Sequence, residues 1–174
     1  MATFLPRLDD IGETLILDVG ANPEAKEEYF YQNAQLGSAF YHGLFGKENV
    51  SVGLLNMGTE YGKGSNFIKK VHQMLSNVEG FQGNVEPYNI IDGTVDVVIC
   101  DGFTGNTLIK VCETFQKLLL TKMQAYFSRV FSISWWQRFS FGKALQSSFF
   151  NSLTFSKKKR RLKNLFMPRF YGAA

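Results

Sequence analysis

The sequence predicts an α/β fold in three layers, with a mostly parallel sheet between helices. The segment "VDVVIC" (95–100) is almost continuously apolar, as in a strand that is buried on both faces of a parallel sheet. Strand-like segments also alternate with helix-like ones, which favours right-handed crossovers. The chain has 174 residues, of which 45% are hydrophobic and 20% charged, so it can bury a core of its own.

The first predicted strand and helix lie in the first 45 residues. "TLILDV" (14–19) is a short apolar run typical of a strand. A helix over about 23–45 follows, with Asn22 as its N-cap and Pro23 at its first position. Its apolar side chains recur at helical spacing: Tyr29, Leu36, Phe40 and Leu44.

Two further strands are predicted at "VSVGLLN" (50–56) and "FQGNVE" (81–86). An amphipathic helix between them is marked by four apolar residues: Phe67, Ile68, Val71 and Leu75. A long helix is predicted from Asn106 onward.

Three of the predicted strands end in polar, glycine-rich loops: "DVGAN", "LNMGTEYGKGSN" and "CDGFTGN". Parallel strands bring their carboxyl ends to one edge of the sheet, where α/β proteins bind their ligands. We therefore expect these loops to form the functional site.

The loop "CDGFTGN" has the composition of an anion site. Gly102 and Gly105 allow close approach of the backbone, while Thr104 and Asn106 offer side-chain donors. Asn106 is also a candidate cap, and free amides at a helix start attract anions. Asp101 either orients a lysine, accepts a proton or positions a nucleophile, or it merely caps a turn.

The loop "GTEYGKGS" presents Lys63 beside Glu60. It is not a nucleotide-binding P-loop, because three residues rather than four separate Gly58 from Gly62, and Gly64 follows the lysine. Lys63 either neutralises a bound phosphate as a point charge or is simply solvated at the surface.

The cysteines and histidines favour no metal or thiol chemistry. Cys100 and Cys112 do not make a disulfide framework, fit a reducing cytoplasmic compartment and are interpreted as small core residues. His42 and His72 lack metal-ligand spacing. We expect no signal peptide at the N-terminus and no membrane-spanning helix.

The charge is distributed unevenly along the chain. Residues 1–114 carry all 15 acidic residues and 7 basic ones, whereas residues 115–174 carry 12 basic residues and no acidic one. The second segment also holds both tryptophans. An anionic partner fits this segment, and a helical core segment with solvated lysines is the alternative.

Four motifs in order, "LILDVGAN", "VGLLNMGTEYGKGSN", "GNVE" and "DVVICDGFTGNTLIK", resemble the PlsX family of bacterial phosphate acyltransferases. The resemblance covers residues 3–114 well. It implies an isocitrate-dehydrogenase-like fold and transfer of a fatty acyl group from acyl carrier protein to inorganic phosphate. The acyl phosphate formed would serve phospholipid synthesis.

The resemblance also implies roles for the loop residues. Lys63 would bind and activate phosphate, and Asp101 would position the reacting groups, as the two catalytic residues. The expected phosphate- and substrate-binding residues are Asn56, Gly58, Glu60, Gly102, Thr104, Gly105 and Asn106. No metal, cofactor or covalent intermediate is implied.

The family continues with a helical hairpin that protrudes from a homodimer, and residues 107–164 would form it. Trp135 and Trp136 would meet the membrane surface, together with Arg138, so the protein would be cytoplasmic and peripherally membrane-associated. The basic run that includes Lys157 and Lys158 would contact acyl carrier protein. Alternatively, the aromatic residues pack at the dimer interface. We expect no nucleic-acid partner.

The sequence also departs from the family. Motifs of the types "DAMGGD" and "SAGNTGA" are missing, and Tyr88 stands where an arginine is common. We therefore expect a fragment that lacks the family's N-terminal half and C-terminal end, with domains 1–114 (the α/β core) and 115–174 (the hairpin segment). The alternative function is a catalytically inactive homologue that binds membrane or protein.

Overall fold

The computed structural model describes residues 1–8 and 12–130, with side chains as far as residue 127. In chain order, the elements in these ranges are β1 (Ala2–Pro6), β2 (Glu13–Leu17), α1 (Glu27–Phe45), β3 (Val52–Leu55), α2 (Asn66–Leu75), β4 (Phe81–Val85), α3 (Pro87–Ile91), β5 (Val97–Ile99) and α4 (Gly102–Val130). The chain divides into two compact units, Met1–Lys117 and Leu118–Ala174. The predicted boundary between residues 114 and 115 stays a prediction.

The strands form one sheet in the order β1-β2-β5-β3-β4. The pairs β2–β5, β5–β3 and β3–β4 are parallel, and only the β1–β2 pair of the described sheet is antiparallel. The mostly parallel α/β fold is thereby confirmed. The sequence did not predict β1 or the short helix α3.

One face of the sheet is covered by α1 and α2, and the first of these packs with a face that we did not predict. The buried residues of α1 are Phe30, Ala34, Gly37 and Tyr41. Leu36, which we predicted on the apolar face of the helix, is 63% exposed. A Cβ atom on Gly37 would lie 2.8 Å from Val97 Cγ1. The small residues let α1 approach the sheet, and this closeness decides which helix face is buried.

The predicted start of α1 is also wrong. The helix begins at Glu27, and its N-cap Lys26 makes no side-chain capping bond. The amide Nδ2 of Asn22 donates instead to Asp18 Oδ2 at 3.0 Å. The strand-end carboxylate therefore holds Asn22 in the loop and delays the helix.

The opposite face of the sheet is covered by α3 and the beginning of α4. Its buried residues include Ile16, Val98 and Ile90, and Leu108 and Ile109 of α4 pack against them. The first unit thus has the three predicted layers, with its sheet between two apolar clusters.

A buried charge cluster secures the end of the sheet at which β5 begins. The carboxylate of Asp96 is 1% exposed and accepts from Arg7 Nη2 at 3.0 Å and from Lys47 Nζ at 2.6 Å. Ser51 adds its amide and its hydroxyl as donors. Burial raises the pKa of Asp96, but these hydrogen bonds outweigh burial and lower the pKa to about 2.

The long helix α4 leaves several large apolar side chains in solvent. Leu119, Met123 and Tyr126 follow one another at spacings of four and three residues and are 47%, 51% and 65% exposed. Among the described helices, none is long and apolar enough to cross a membrane. The predicted contact residues of the hairpin segment lie outside the described residues: Trp135, Trp136, Arg138, Lys157 and Lys158.

Candidate functional site

The three glycine-rich loops lie at one edge of the sheet. The central strand β5 pairs with β2 and β3 on either side, and Ile99 stands opposite both Leu17 and Leu54. The three strands therefore end level with one another. The helices α1 and α2 begin after the first two loops, and α4 begins within the third, so their positive ends face this edge as well.

The loop after β2 is organised by Asp18, which is 2% exposed. Its carboxylate accepts the amides of Ala21 and Asn22 at 2.9 and 2.8 Å and the amino terminus of Met1 at 2.7 Å. Burial raises the pKa of Asp18, but these bonds outweigh burial and leave the pKa below its ordinary value. The sequence placed this carboxylate at a strand end, yet we did not predict its role in the loop.

This loop packs directly on the first turn of α4. The amide of Gly102 donates to the carbonyl of Asn22 at 3.1 Å. A Cβ atom on Gly105 would collide with the carbonyl oxygen of Asp18 and lie 2.9 Å from Cys100 Sγ. Glycine at these two positions is therefore required for the approach of backbone to backbone, and their expected role in binding a ligand stays a prediction.

Asp101 caps α4. Its Oδ1 accepts from the amide of Thr104 at 2.8 Å, and its Oδ2 accepts from the hydroxyl of Thr104 at 2.5 Å. The helix accordingly begins at Gly102, and the prediction that Asn106 starts and caps it is wrong. An aspartate in this position satisfies an amide that would otherwise lack a partner, and it complements the helix dipole.

Most amides of the first turn of α4 already have acceptors. Gly102 donates to Asn22, Thr104 to Asp101, and Gly105 to the carbonyl of Asp101 at 2.9 Å. From the sequence we had expected these amides to be free to bind an anion. The structure shows that they already have acceptors. The side chain of Asn106 is exposed and lies beside Gly20 at the same edge.

The loop after β3 presents Lys63 to solvent. Its ammonium has no ion-pair partner among the residues that the structure describes. A Cβ atom on Gly58 would lie 2.8 Å from Glu60 Oε2 and 3.1 Å from Lys63 Cγ. The buried Gly58 thus leaves room for the side chains of Glu60 and Lys63, which would both crowd a Cβ atom there.

The peptide groups of this loop are held in place. The carbonyl of Glu60 accepts from the amide of Lys63 at 3.1 Å, and the carbonyl of Lys63 accepts from Asn56 Nδ2 at 3.1 Å. Ser65 caps the following helix α2 by accepting from the amide of Ile68 at 3.2 Å. The lysine therefore stands just before the positive end of a capped helix.

The thiol at this edge is unsuited to nucleophilic chemistry. Cys100 is 3% exposed, and burial, with Asp101 and Asp18 nearby, raises the pKa of its thiol to about 12. This finding confirms the interpretation of Cys100 as a small core residue. The other cysteine, Cys112, is exposed on α4, so the prediction that it is a core residue is wrong.

The arrangement combines one unpaired cation, the positive ends of capped helices and two carboxylates that organise backbone. Such a setting attracts a small oxyanion to the edge of the sheet. In the described part of the chain, no three His, Cys, Asp or Glu side chains are grouped as metal ligands.

Comparison with known proteins places the chain in a protein family. The family model described as "Fatty acid synthesis protein" matches residues 1–151. The phosphate acyltransferase of Wolinella succinogenes is 37% identical over 126 residues, which are 72% of this chain and 38% of that protein. Those of Bacillus pumilus and Bacillus cereus strain G9842 are 46% and 47% identical over 114 residues, covering 65% of this chain and 34% of each relative.

The chain thus spans about a third of the length of these relatives. The family match covers most of the chain and includes the three loops at the edge of the sheet. The chain therefore belongs to the fatty acid synthesis protein family, the PlsX family that its four ordered motifs indicated.

Proposed function

We propose that this chain carries part of the active site of a phosphate acyltransferase. The enzyme moves a fatty acyl group from acyl carrier protein to inorganic phosphate, and the acyl phosphate serves phospholipid synthesis. The names of the relatives support acyl transfer to phosphate. The observation that carries the proposal is the unpaired ammonium of Lys63, which stands at the strand-end edge where α2 and α4 begin.

The reaction requires little covalent chemistry from the protein. An oxygen of phosphate attacks the carbonyl carbon of the thioester, and a tetrahedral intermediate forms with negative charge on the former carbonyl oxygen. The carbon–sulfur bond then breaks, the carrier thiolate leaves and takes up the proton that phosphate releases. The products are acyl phosphate and the free carrier thiol, so positioning and charge stabilisation account for the rate.

Lys63 binds phosphate in this reaction. Its ammonium offsets the repulsion between the phosphate dianion and the carboxylates at the same edge, and it holds the attacking oxygen near the thioester. Asn56, Gly58 and Glu60 shape the loop that carries the lysine.

The start of α4 holds the other reacting group. Asp101 fixes the first turn through Thr104, and Gly102 and Gly105 bring this turn against the loop after β2. The exposed side chain of Asn106 donates to the developing oxyanion of the tetrahedral intermediate. Asp101 thereby acts as a positioning residue.

A second function is favoured by the exposed apolar residues of α4. We propose that Leu119, Met123 and Tyr126 contact a second copy of the chain or a membrane surface, which would make the enzyme a peripheral membrane protein or a homodimer. An inactive homologue that uses only this surface is the alternative to the enzyme.

Release of free thiol from acyl carrier protein thioester, measured with and without phosphate, tests the enzymatic proposal. We expect phosphate-dependent release by the 174-residue chain. It should fall by at least about tenfold in Lys63→Ala, since a charge-assisted contact is lost. Lys69→Ala removes another exposed lysine and should have the wild-type rate. Equal rates in both variants would contradict the role of Lys63.

Binding to anionic liposomes separates the two functions. A wild-type chain that releases no thiol but sediments with vesicles of phosphatidylglycerol supports the binding module. The double variant Leu119→Ser/Met123→Ser should then remain in the supernatant. Unchanged sedimentation of that variant would exclude the α4 surface.

A further inference from the structure

We propose that Asn84 is a positioning residue that sets the place of Lys63 by holding the turn from Glu60 to Lys63. Asn56 is the second anchor of the same turn. This inference rests on the proposed role of Lys63, and it concerns the "GNVE" motif, to which the proposed reaction assigns no part.

Asn84 connects the lysine loop to the neighbouring strand. It lies near the end of β4, is 6% exposed, and donates from Nδ2 to the carbonyl of Glu60 at 2.9 Å. The same carbonyl accepts the amide of Lys63 at 3.1 Å. The buried side chain of Asn84 therefore fixes the carbonyl oxygen of Glu60, and this oxygen also accepts the hydrogen bond that closes the turn.

Asn56 holds the other side of Lys63. Its Nδ2 donates to the carbonyl of Lys63 at 3.1 Å, while its Oδ1 accepts the amide of Met57 at 2.8 Å. Gly64 has a φ of +89°, and a Cβ atom there would lie 2.8 Å from Asn56 Oδ1. The peptide groups on both sides of Lys63 are thus held, and its side chain is left to solvent.

The surroundings of Asn84 argue against a role in stability alone. Its Oδ1 is buried without a hydrogen-bond partner within residues 1–8 and 12–130. A buried amide that is only half satisfied is destabilising, and an aliphatic side chain of similar size would not carry that penalty. The bond to Glu60 is therefore the feature that distinguishes asparagine at this position.

An aromatic contact also helps to hold the turn from Glu60 to Lys63 in place. The ring of Tyr61, inside the turn, meets His72 of α2 edge to face at 4.8 Å between centroids. Burial lowers the pKa of His72, so its neutral ring packs under the loop. The loop is consequently held to both β4 and α2.

Limited trypsin digestion of the full chain measures how often the turn that carries Lys63 opens. Trypsin cleaves after Lys63 when the turn opens, and mass spectrometry detects the new terminus at Gly64. We expect Asn84→Asp to raise this cleavage rate by about fivefold relative to cleavage after Lys69, because one hydrogen bond is lost and a carboxylate faces a carbonyl.

Lys69 lies within α2, so its cleavage reports general unfolding and corrects for any loss of stability. Asn84→Leu, which adds no charge, is the second variant and should show the same selective acceleration. Gln82→Glu is the matched control: its exposed amide on the same strand donates to the carbonyl of Gly80, away from the lysine loop, and its Lys63 cleavage should stay at the wild-type rate. Equal acceleration at both lysines, or none at Lys63, would overturn the proposal.

Kinetics distinguish this inference from the proposed function. In an active chain, Asn84→Leu should raise the KM for phosphate by about fivefold, yet add nothing in a Lys63→Ala background. An additive effect in that background would overturn the link to Lys63. If the wild type releases no thiol while cleavage after Lys63 still accelerates, the proposed function fails and the positioning by Asn84 stands.

Discussion

Replacing Asp96 with asparagine perturbs the buried charge cluster at the amino-terminal end of β5. The carboxylate receives bonds from Arg7, Lys47 and Ser51, which come from three other parts of the chain. The asparagine has nearly the same shape but no charge. The two cations would then face a neutral group, with Arg7 only 11% exposed.

The structure gives two magnitudes for this change. The pKa of Asp96 falls from 3.8 to about 2 on folding, and this difference corresponds to about 2 kcal/mol of stability. Removing one partner of a buried ion pair costs about 3–5 kcal/mol. Lys47 is half-exposed and can return to water, so we expect a loss near the lower end, about 3 kcal/mol at pH 7.

The pH dependence has a definite sign. A carboxylate with a lowered pKa contributes its full stability above pH 3.8 and loses it as the pH falls toward 2. The pKa of Asp18 is lowered too, but that carboxylate is shared by wild type and variant. The difference in unfolding free energy between the two proteins should therefore shrink by about 2 kcal/mol between pH 5 and pH 2.

Urea denaturation followed by circular dichroism at 222 nm measures both quantities. Glu79→Gln, an exposed carboxylate on the surface, is the control and should unfold like the wild type. An Asp96→Asn variant within about 0.5 kcal/mol of wild type at pH 7, or a difference that does not change with pH, would refute the reasoning.

Three further predictions concern the packing of the first unit. Gly105→Ala should cost about 3 kcal/mol, because its Cβ collides with the Asp18 carbonyl. In the same urea assay, Gly43→Ala should stabilise α1 by about 1 kcal/mol, because its Cβ would meet no other described part of the chain within 4 Å beyond the backbone of α1 itself. Gly37→Ala should cost about 2 kcal/mol by forcing α1 off the sheet, and a stability at or above wild type would contradict that packing. Iodoacetamide should leave Cys100 unmodified in the folded protein at pH 8, and mass spectrometry showing rapid alkylation would contradict its burial and raised pKa.

The layered fold could be predicted because its signal is local. The run from Val95 to Cys100 is apolar on both faces, and such a strand needs helices on each side of the sheet. Strands that alternate with helices then imply parallel neighbours. The order of the strands follows from these rules only in part, and β1 was missed because it pairs antiparallel at an edge.

The details that failed depend on tertiary contacts. The buried face of α1 is chosen by Gly37, whose lack of a side chain gives no hydrophobic signal in the sequence. The start of α4 at Gly102 depends on Asp101 as a cap. From the sequence alone, Asp101 was equally compatible with a role in the reaction. Whether an amide such as that of Gly102 is free for a ligand depends on where the loop after β2 lies, because the carbonyl of Asn22 in that loop accepts it.

The position of the candidate site could be predicted from the sequence, but the contacts that hold its residues could not. The sequence singled out Lys63 and Asp101, and the parallel sheet brings their loops to one edge. Asn84 could have been noticed as a polar residue near the end of a strand beside that edge. Its bond to Glu60, however, joins residues 24 apart in the chain, and no local pattern predicts such a contact.

Binding of inorganic phosphate to the full chain, measured by isothermal titration calorimetry, tests the central claim most directly. We expect saturable binding by wild type and Lys69→Ala, and affinity at least about tenfold weaker in Lys63→Ala. Binding that is absent from the wild type, or that is equal in all three proteins, would contradict a phosphate site built around Lys63.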